Sequence, residues 1–168
     1  MKKILMFSLL TAFVAVSACA QQPKASPAQK ATGKVGKATI TINYSSPAVK
    51  GRNIFGDLVP YGKVWRTGAD EATVFETDSD VMVEGKKLAA GKYSLFTVPD
   101  ANSWTIVFNK TWNQWGSYKY KEEDDVLRVN AKPKKSAGFN ELLKFEVGKD
   151  NKVKIMWADT EVAFDVKD

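Results

Sequence analysis

The sequence predicts an all-β domain, an antiparallel β-sandwich, jelly-roll-like fold or partly closed barrel of about eight to nine strands. Three observations predict it. Apolar and polar residues alternate with period two through most of the chain after Lys34. Short polar connectors separate these runs, which implies antiparallel neighbours, because parallel strands need long crossovers. No strong amphipathic helical pattern appears, and the best helical segment is a turn or two around Arg52–Leu58.

In chain order, Ala38 to Tyr44 sets Ile40, Ile42 and Tyr44 against Thr39, Thr41 and Asn43. Runs at 72–77, 80–84 and 91–98 follow, divided by Asp78-Ser79 and Glu84-Gly85-Lys86. After Pro99-Asp100-Ala101-Asn102, Trp104, Ile106 and Phe108 alternate with Thr105, Val107 and Asn109. Strands are expected again at 124–131 and 141–147. Beyond Gly148-Lys149-Asp150-Asn151, Val153, Ile155 and Trp157 alternate with Lys152, Lys154 and Met156. Beyond Asp159-Thr160, Val162, Phe164 and Val166 alternate with Glu161, Ala163 and Asp165. The connectors consist of residues that favour turns.

The chain has 168 residues, enough for one domain, and is 44% hydrophobic and 26% charged, the composition of a folded protein. Residues 1–20 read as a signal peptide. Lys2 and Lys3 precede the apolar run Ile4 to Val16, which is too short to span a bilayer and ends in Ser17-Ala18-Cys19-Ala20. Val16 to Cys19 has the form of a bacterial lipobox, with Cys19 as the lipidation site and membrane anchor. Ala18-Cys19-Ala20 also fits ordinary cleavage before Gln21, which would leave a soluble periplasmic protein. Cys19 is the only cysteine, so the folded part is expected to carry no disulfide. Residues 21–33 read as a flexible linker and 34–168 as one β domain. The net charge of +6 includes Lys2 and Lys3; without them 23 basic residues face 19 acidic ones, or +4. The basic residues are scattered, with no block that would serve nucleic acid.

The chain has no histidine, which removes Ser-His-Asp and Cys-His catalysis and His-ligated metals. The run Gly51 to Gly56 begins like a P-loop but continues Asp57-Leu58 where Lys and Ser/Thr are required. Glu122 to Asp125 lacks the spacing of a calcium loop. No catalytic residue, cofactor or metal is expected. What remains is carboxylate, Arg, Lys, Tyr and Trp chemistry.

Residues 44–73 form a long connection between strands, an uncommon feature in a compact domain without a role. Its turns are set by Pro47, Gly51, Gly56, Pro60, Gly62 and Gly68, and between them sit Arg52, Tyr61, Trp65, Arg66, Asp70 and Glu71. The arginines can fork onto carboxylates of a ligand or of the protein itself. A second group, Trp112 to Tyr120, places four aromatics among amides, either a sugar-stacking surface or a plug at one end of the sandwich. Strand spacing would turn one of Trp112 and Trp115 inward and leave Trp115 exposed. Arg128 lies between apolar neighbours and is expected to pair with Asp70 or Glu71.

Several of these runs resemble one family. They are Ser45 to Arg52 (SSPAVKGR), Ile54 to Gly56 (IFG), Leu58 to Ala69 (LVPYGKVWRTGA), Gly91 to Phe96 (GKYSLF) and Asp125 to Val129 (DVLRV). Over about residues 36–166 the chain resembles domain of unknown function 2911, found in exported bacterial proteins. That family usually carries Gly-Ala-Asn-Glu-Ala-Thr where this chain has Asp70 in place of the Asn. The resemblance implies a single domain and a 44–73 unit, and no biochemical activity.

The expected function is a lipid-anchored cell-envelope domain facing the periplasm. It would bind a glycan or other small polar ligand in a groove between residues 52–71 and 112–120, with Arg52, Tyr61, Trp65, Arg66, Asp70, Glu71, Trp112, Trp115 and Arg128 as candidate contacts. A carboxylate hydrolase of envelope glycans and a purely structural envelope protein are the alternatives. Asp70 and Glu71 are adjacent, so on a strand they point to opposite faces and cannot by themselves be a hydrolase pair.

Overall fold

Alternation of β-branched and aromatic residues with polar ones fits a sheet wet on one face, and two such sheets pack here. A computed structural model describes residues 25–168. The first sheet has the order β1-β2-β3-β6-β7-β8. Its strands are Ala28–Val35 (β1), Ala38–Ser45 (β2), Val74–Thr77 (β3), Gly91–Val98 (β6), Trp104–Asn109 (β7) and Asp125–Ala131 (β8). The second sheet, β5-β4-β10-β9, consists of Val81–Val83 (β4), Lys86–Leu88 (β5), Pro133–Val147 (β9) and Lys152–Lys167 (β10). All strand pairs are antiparallel and the sheets do not close into a barrel, so the sandwich expectation holds.

The inward positions are those the alternation selects. Ile40, Ile42, Phe75, Leu95, Ile106 and Phe108 of the first sheet share one core with Ile155, Trp157, Val162, Phe164 and Val166 of the second. Each such side chain, fully buried, contributes about 1.5–3 kcal/mol. Phe108 joins the sheets, with its ring centroid 5.1 Å from Phe75 and 6.1 Å from Phe164.

Four details depart from the sequence reading. The linker expected over 21–33 gives way to β1 from Ala28, which pairs with β2 in register from Ala28↔Ser45 to Val35↔Ala38. Only Val35 of β1 is buried, so the strand carries almost no apolar pattern. Second, Asp159-Thr160 is not a connector. Ala158 takes φ 52° and the β9–β10 register shifts on either side of it, so a bulge merges two expected strands into one. Third, no helix forms over 52–58. Gly56 has φ 92°, and Phe55 bridges Val59 in a tight loop. The described residues hold one short 3-10 turn, Glu122–Asp124, and no α-helix. The fourth is that the outer face of the first sheet is dry at its centre. Phe96 and Val107 point away from the main core and form a second cluster with Ala72, against which Val64, Val98 and Tyr120 pack.

The long connection provides part of that cover and also closes the sandwich end. It leaves β2 and docks on β9, with Val49 N–H donating to Glu141 O and Leu143 N–H to Pro47 O. Ile54, Phe55, Val59 and Trp65 then enter or pack on the main core. Trp65 exchanges main-chain hydrogen bonds with Thr97 of β6, beside the short strand β3. Residues 66–72 loop outward from there and are closed by Thr73 N–H donating to Arg66 O.

Candidate functional site

The outward loop of the connection meets the aromatic segment directly. Ala72 N–H donates to Gln114 O, Gly116 N–H donates to Asp70 O, and Glu71 bridges Trp115. Two regions that the sequence grouped are therefore zipped together where a groove was expected. Arg66 sits close by, since a β-carbon at Gly116 would lie 3.9 Å from its Cδ.

The segment between β7 and β8 is not a strand, so strand spacing does not govern it. Gln114 is the residue that turns in, donating through Nε2 to Thr111 O. Trp112 and Trp115 are both exposed, at 43% and 57%, and Tyr118 at 87%. Of the segment's four aromatics only Tyr120 packs inward, edge-on to Phe96 at 5.0 Å. The ring of Trp112 carries the Lys92 ammonium 5.3 Å from its centroid.

Arg52, Trp65 and Arg66 line one cavity of ≈ 350 Å³, between the connection and Trp157 of β10. Arg52 is held by its own turn, donating from Nε to Val49 O (3.0 Å) and from Nη2 to Ala48 O (2.6 Å). Trp65 donates Nε1–H to Gly68 O and stacks on Trp157 at 5.7 Å and 15°. Alternation reads Trp157 as a core position and gives no hint that its indole reaches this wall. Tyr61 lies outside that cavity, on a depression of ≈ 340 Å³ with Phe55, Trp104, Lys134 and Lys135, and meets Arg52 on a further one.

Backbone strain marks the same region. Lys50, Thr67 and Asp70 all have φ between 48° and 55°, a conformation costly for residues with a β-carbon and most of all for a β-branched one. This accounts for position 70. Asp and Asn tolerate the left-handed region better than most residues, so Asp70 suits this backbone.

Arg128 does not pair with Asp70 or Glu71. Its Nε donates to Asp125 Oδ2 at 2.8 Å, Nη1 lies 3.0 Å from Glu122 Oε1, and Nη2 donates to the Tyr120 hydroxyl at 2.8 Å. Tyr120 in turn donates to Asp125 at 2.6 Å, and Asn109 donates to it at 2.8 Å. Burial pushes the Tyr120 phenol up, and the bond to Asp125 adds to this, so its pKa reaches about 12. Burial disfavours the Arg128 charge, but its bonds to Tyr120 and Asp125 outweigh that and raise its pKa. No group of three or more acidic or cysteine side chains among the described residues is placed to hold a metal.

A family model described as "Protein of unknown function (DUF2911)" matches residues 26–166. The chain belongs to the DUF2911 family. The match includes β1, the long connection and the 112–120 segment, so each is part of the DUF2911 domain. No curated protein and no solved structure matches the chain.

Proposed function

We propose that this DUF2911 domain is a non-catalytic binding module of the cell envelope, tethered by a lipid on Cys19, that takes a glycan on its Trp112–Tyr118 surface. The leader and Cys19 lie outside the described residues, and support for export and anchoring comes from their sequence pattern. One observation carries the glycan reading. Trp112 and Trp115 expose large ring faces on a backbone that residues 70–72 pin with hydrogen bonds at 114 and 116. Indoles in the open need a reason, and a preordered ring face binds a sugar ring with little loss of conformational freedom. Asn113, Ser117 and Lys119 alternate with the rings and offer polar groups to hydroxyls.

The test is a screen of peptidoglycan fragments and neutral oligosaccharides against the full chain in mild detergent. A Trp115→Ala variant should bind its hit more weakly by about 1–3 kcal/mol, a range taken from base–aromatic stacking. Hits that bind the variant equally well would remove the platform. An absence of hits, with a protein partner captured through the same tryptophans, would replace the glycan by a protein surface.

A further inference from the structure

The cavity beside Trp157 has the chemistry of a second, separate site. Lys50, Arg52 and Arg66 line it, and among the described residues no carboxylate does. The described ion pairs engage Arg128 and several lysines, and neither Arg52 nor Arg66. Glu141 is engaged by the loop's main chain, its Oε1 accepting from the Lys50 N–H at 2.9 Å, and Asp159 lies with Arg52 on an adjoining cavity. Three cations on one concave wall make a positive potential that attracts an anion.

Two buried donors on this wall have no acceptor, Arg66 Nε and Trp157 Nε1. Trp157 is 2% exposed. A buried donor left unmet costs about 1–3 kcal/mol, and folded proteins leave few. The contrast with Trp65 is informative. Its indole N–H is met by Gly68 O, while that of Trp157, the ring stacked on it and part of the cavity wall, is buried and meets no acceptor. Arg52 spends Nε and Nη2 on the carbonyls that fix it, which leaves Nη1. The strained residues Lys50 and Thr67 flank these arginines, as strain often does at ligand clamps.

We infer that this cavity binds the oxyanion of a small organic acid, a carboxylate or a phosphate ester. Arg66 and the remaining Nη1 of Arg52 donate to its oxygens, and the Trp157 indole N–H donates to one of them. The body of the acid lies against Leu58, Val59 and Trp65. At ≈ 350 Å³ the space suits a small molecule and not a polymer. The inference is independent of the Trp112–Tyr118 platform.

The experiment follows the Trp157 indole resonance by nuclear magnetic resonance in the ¹⁵N-labelled full chain. Benzoate and phenyl phosphate carry the two oxyanions on the same body, and benzyl alcohol is the neutral control. Either anion, at millimolar concentration, should move the Trp157 N–H signal downfield, and benzyl alcohol should not. The anion that binds more tightly identifies carboxylate or phosphate as the preferred group. Arg66→Gln and Arg52→Gln should each weaken binding about tenfold or more, the loss of one charge-assisted contact. Arg52 is exposed, so its variant keeps the test valid should Arg66→Gln disturb the fold. The inference is overturned if neither anion moves the signal, if the alcohol moves it equally, or if Arg52→Gln leaves anion affinity unchanged.

Discussion

Asp125 and Arg128 lie three residues apart in one strand and still share a face. In a regular strand they would point to opposite sides. The β7–β8 register steps from Phe108↔Leu127 to Asn109↔Asp125, so β8 holds an extra residue at Val126, and this bulge restores the shared face. The Asp125 side chain is 6% exposed, whereas that of Arg128 is 38% exposed. Arg128→Met therefore leaves a buried carboxylate with Asn109 and Tyr120 as its remaining donors. The expected loss is about 1–3 kcal/mol in urea unfolding, below that of a fully buried pair. Adding Asp125→Asn should recover part of it. A loss under about 0.5 kcal/mol would mark the pair as ordinary surface charge.

The same network sets an alkaline limit. The Tyr120 phenol rises from its ordinary 10.0 to about 12 in the fold. Its protonated form is favoured by folding, so that stability is fully present below pH 10 and disappears as pH rises through 12. At the acid end, hydrogen bonds first from Lys110 and then from Thr111 lower the Asp124 carboxyl. That contribution is present above its ordinary 3.8 and is lost as pH falls through the lower folded value. Unfolding midpoints measured across pH should decline at both ends, and Tyr120→Phe should flatten the decline between pH 10 and 12. An unchanged alkaline slope in that variant would place the phenol's titration elsewhere.

What the sequence discloses divides along physical lines. The Glu84-Gly85 turn is legible because both residues adopt positive φ between β4 and β5, as two-residue hairpins demand. The core faces are legible because Ile40, Phe108 and Phe164 sit in plain alternation. Strand β1 is not, because an edge strand needs main-chain partners more than apolar side chains. Bulges at Val126 and Ala158 are invisible to a period-two reading, and they misplace Arg128's partner and split β10. The sequence brings Arg52, Trp65 and Arg66 together by proximity in the chain. It cannot supply Trp157, which arrives from the other sheet.

Position 70 offers a test of strain against chemistry. With φ 55°, Asp70→Asn should hold or slightly raise stability, while Asp70→Val should cost about 1–2 kcal/mol. Thermal unfolding of the two variants separates them. Equal stability would show that the 66–72 loop relaxes its backbone freely.

Gly33 allows β1 to close against β9. A β-carbon there would stand 2.7 Å from Val147 Cγ1 and 2.8 Å from the Val147 carbonyl oxygen. The carbonyl belongs to β9, where Val147 pairs with Val153 of β10, and cannot swing aside as a side-chain tip can. Gly33→Ala should therefore destabilise by about 1–3 kcal/mol, the cost of overpacking. Pairing it with Val147→Ala should relieve only the side-chain part. A neutral Gly33→Ala in urea unfolding would show that β1 shifts away from β9 at no cost.

The two tryptophan environments give the sharpest contrast. Trp104 is 2% exposed and packs edge-on to Phe55, with ring centroids 4.8 Å apart. Trp112 and Trp115 lie on the surface, and the backbone bonds that hold Trp115 do not use its side chain. Removing the Trp104 indole should cost about 3–5 kcal/mol through the cavity it leaves. Removing either surface indole should change stability by no more than about 1 kcal/mol. Trp112 stands to lose slightly more than Trp115, because its ring faces the Lys92 ammonium and an exposed cation–π contact contributes about 0.5–1 kcal/mol. Acrylamide quenching of single Trp→Phe variants provides a second readout. Trp112→Phe and Trp115→Phe should each remove accessible emission, and Trp104→Phe should remove shielded emission only. An aromatic plug would behave the other way, with costly surface variants and little quenching, and such a result would leave the segment a structural seal with no platform for a ligand.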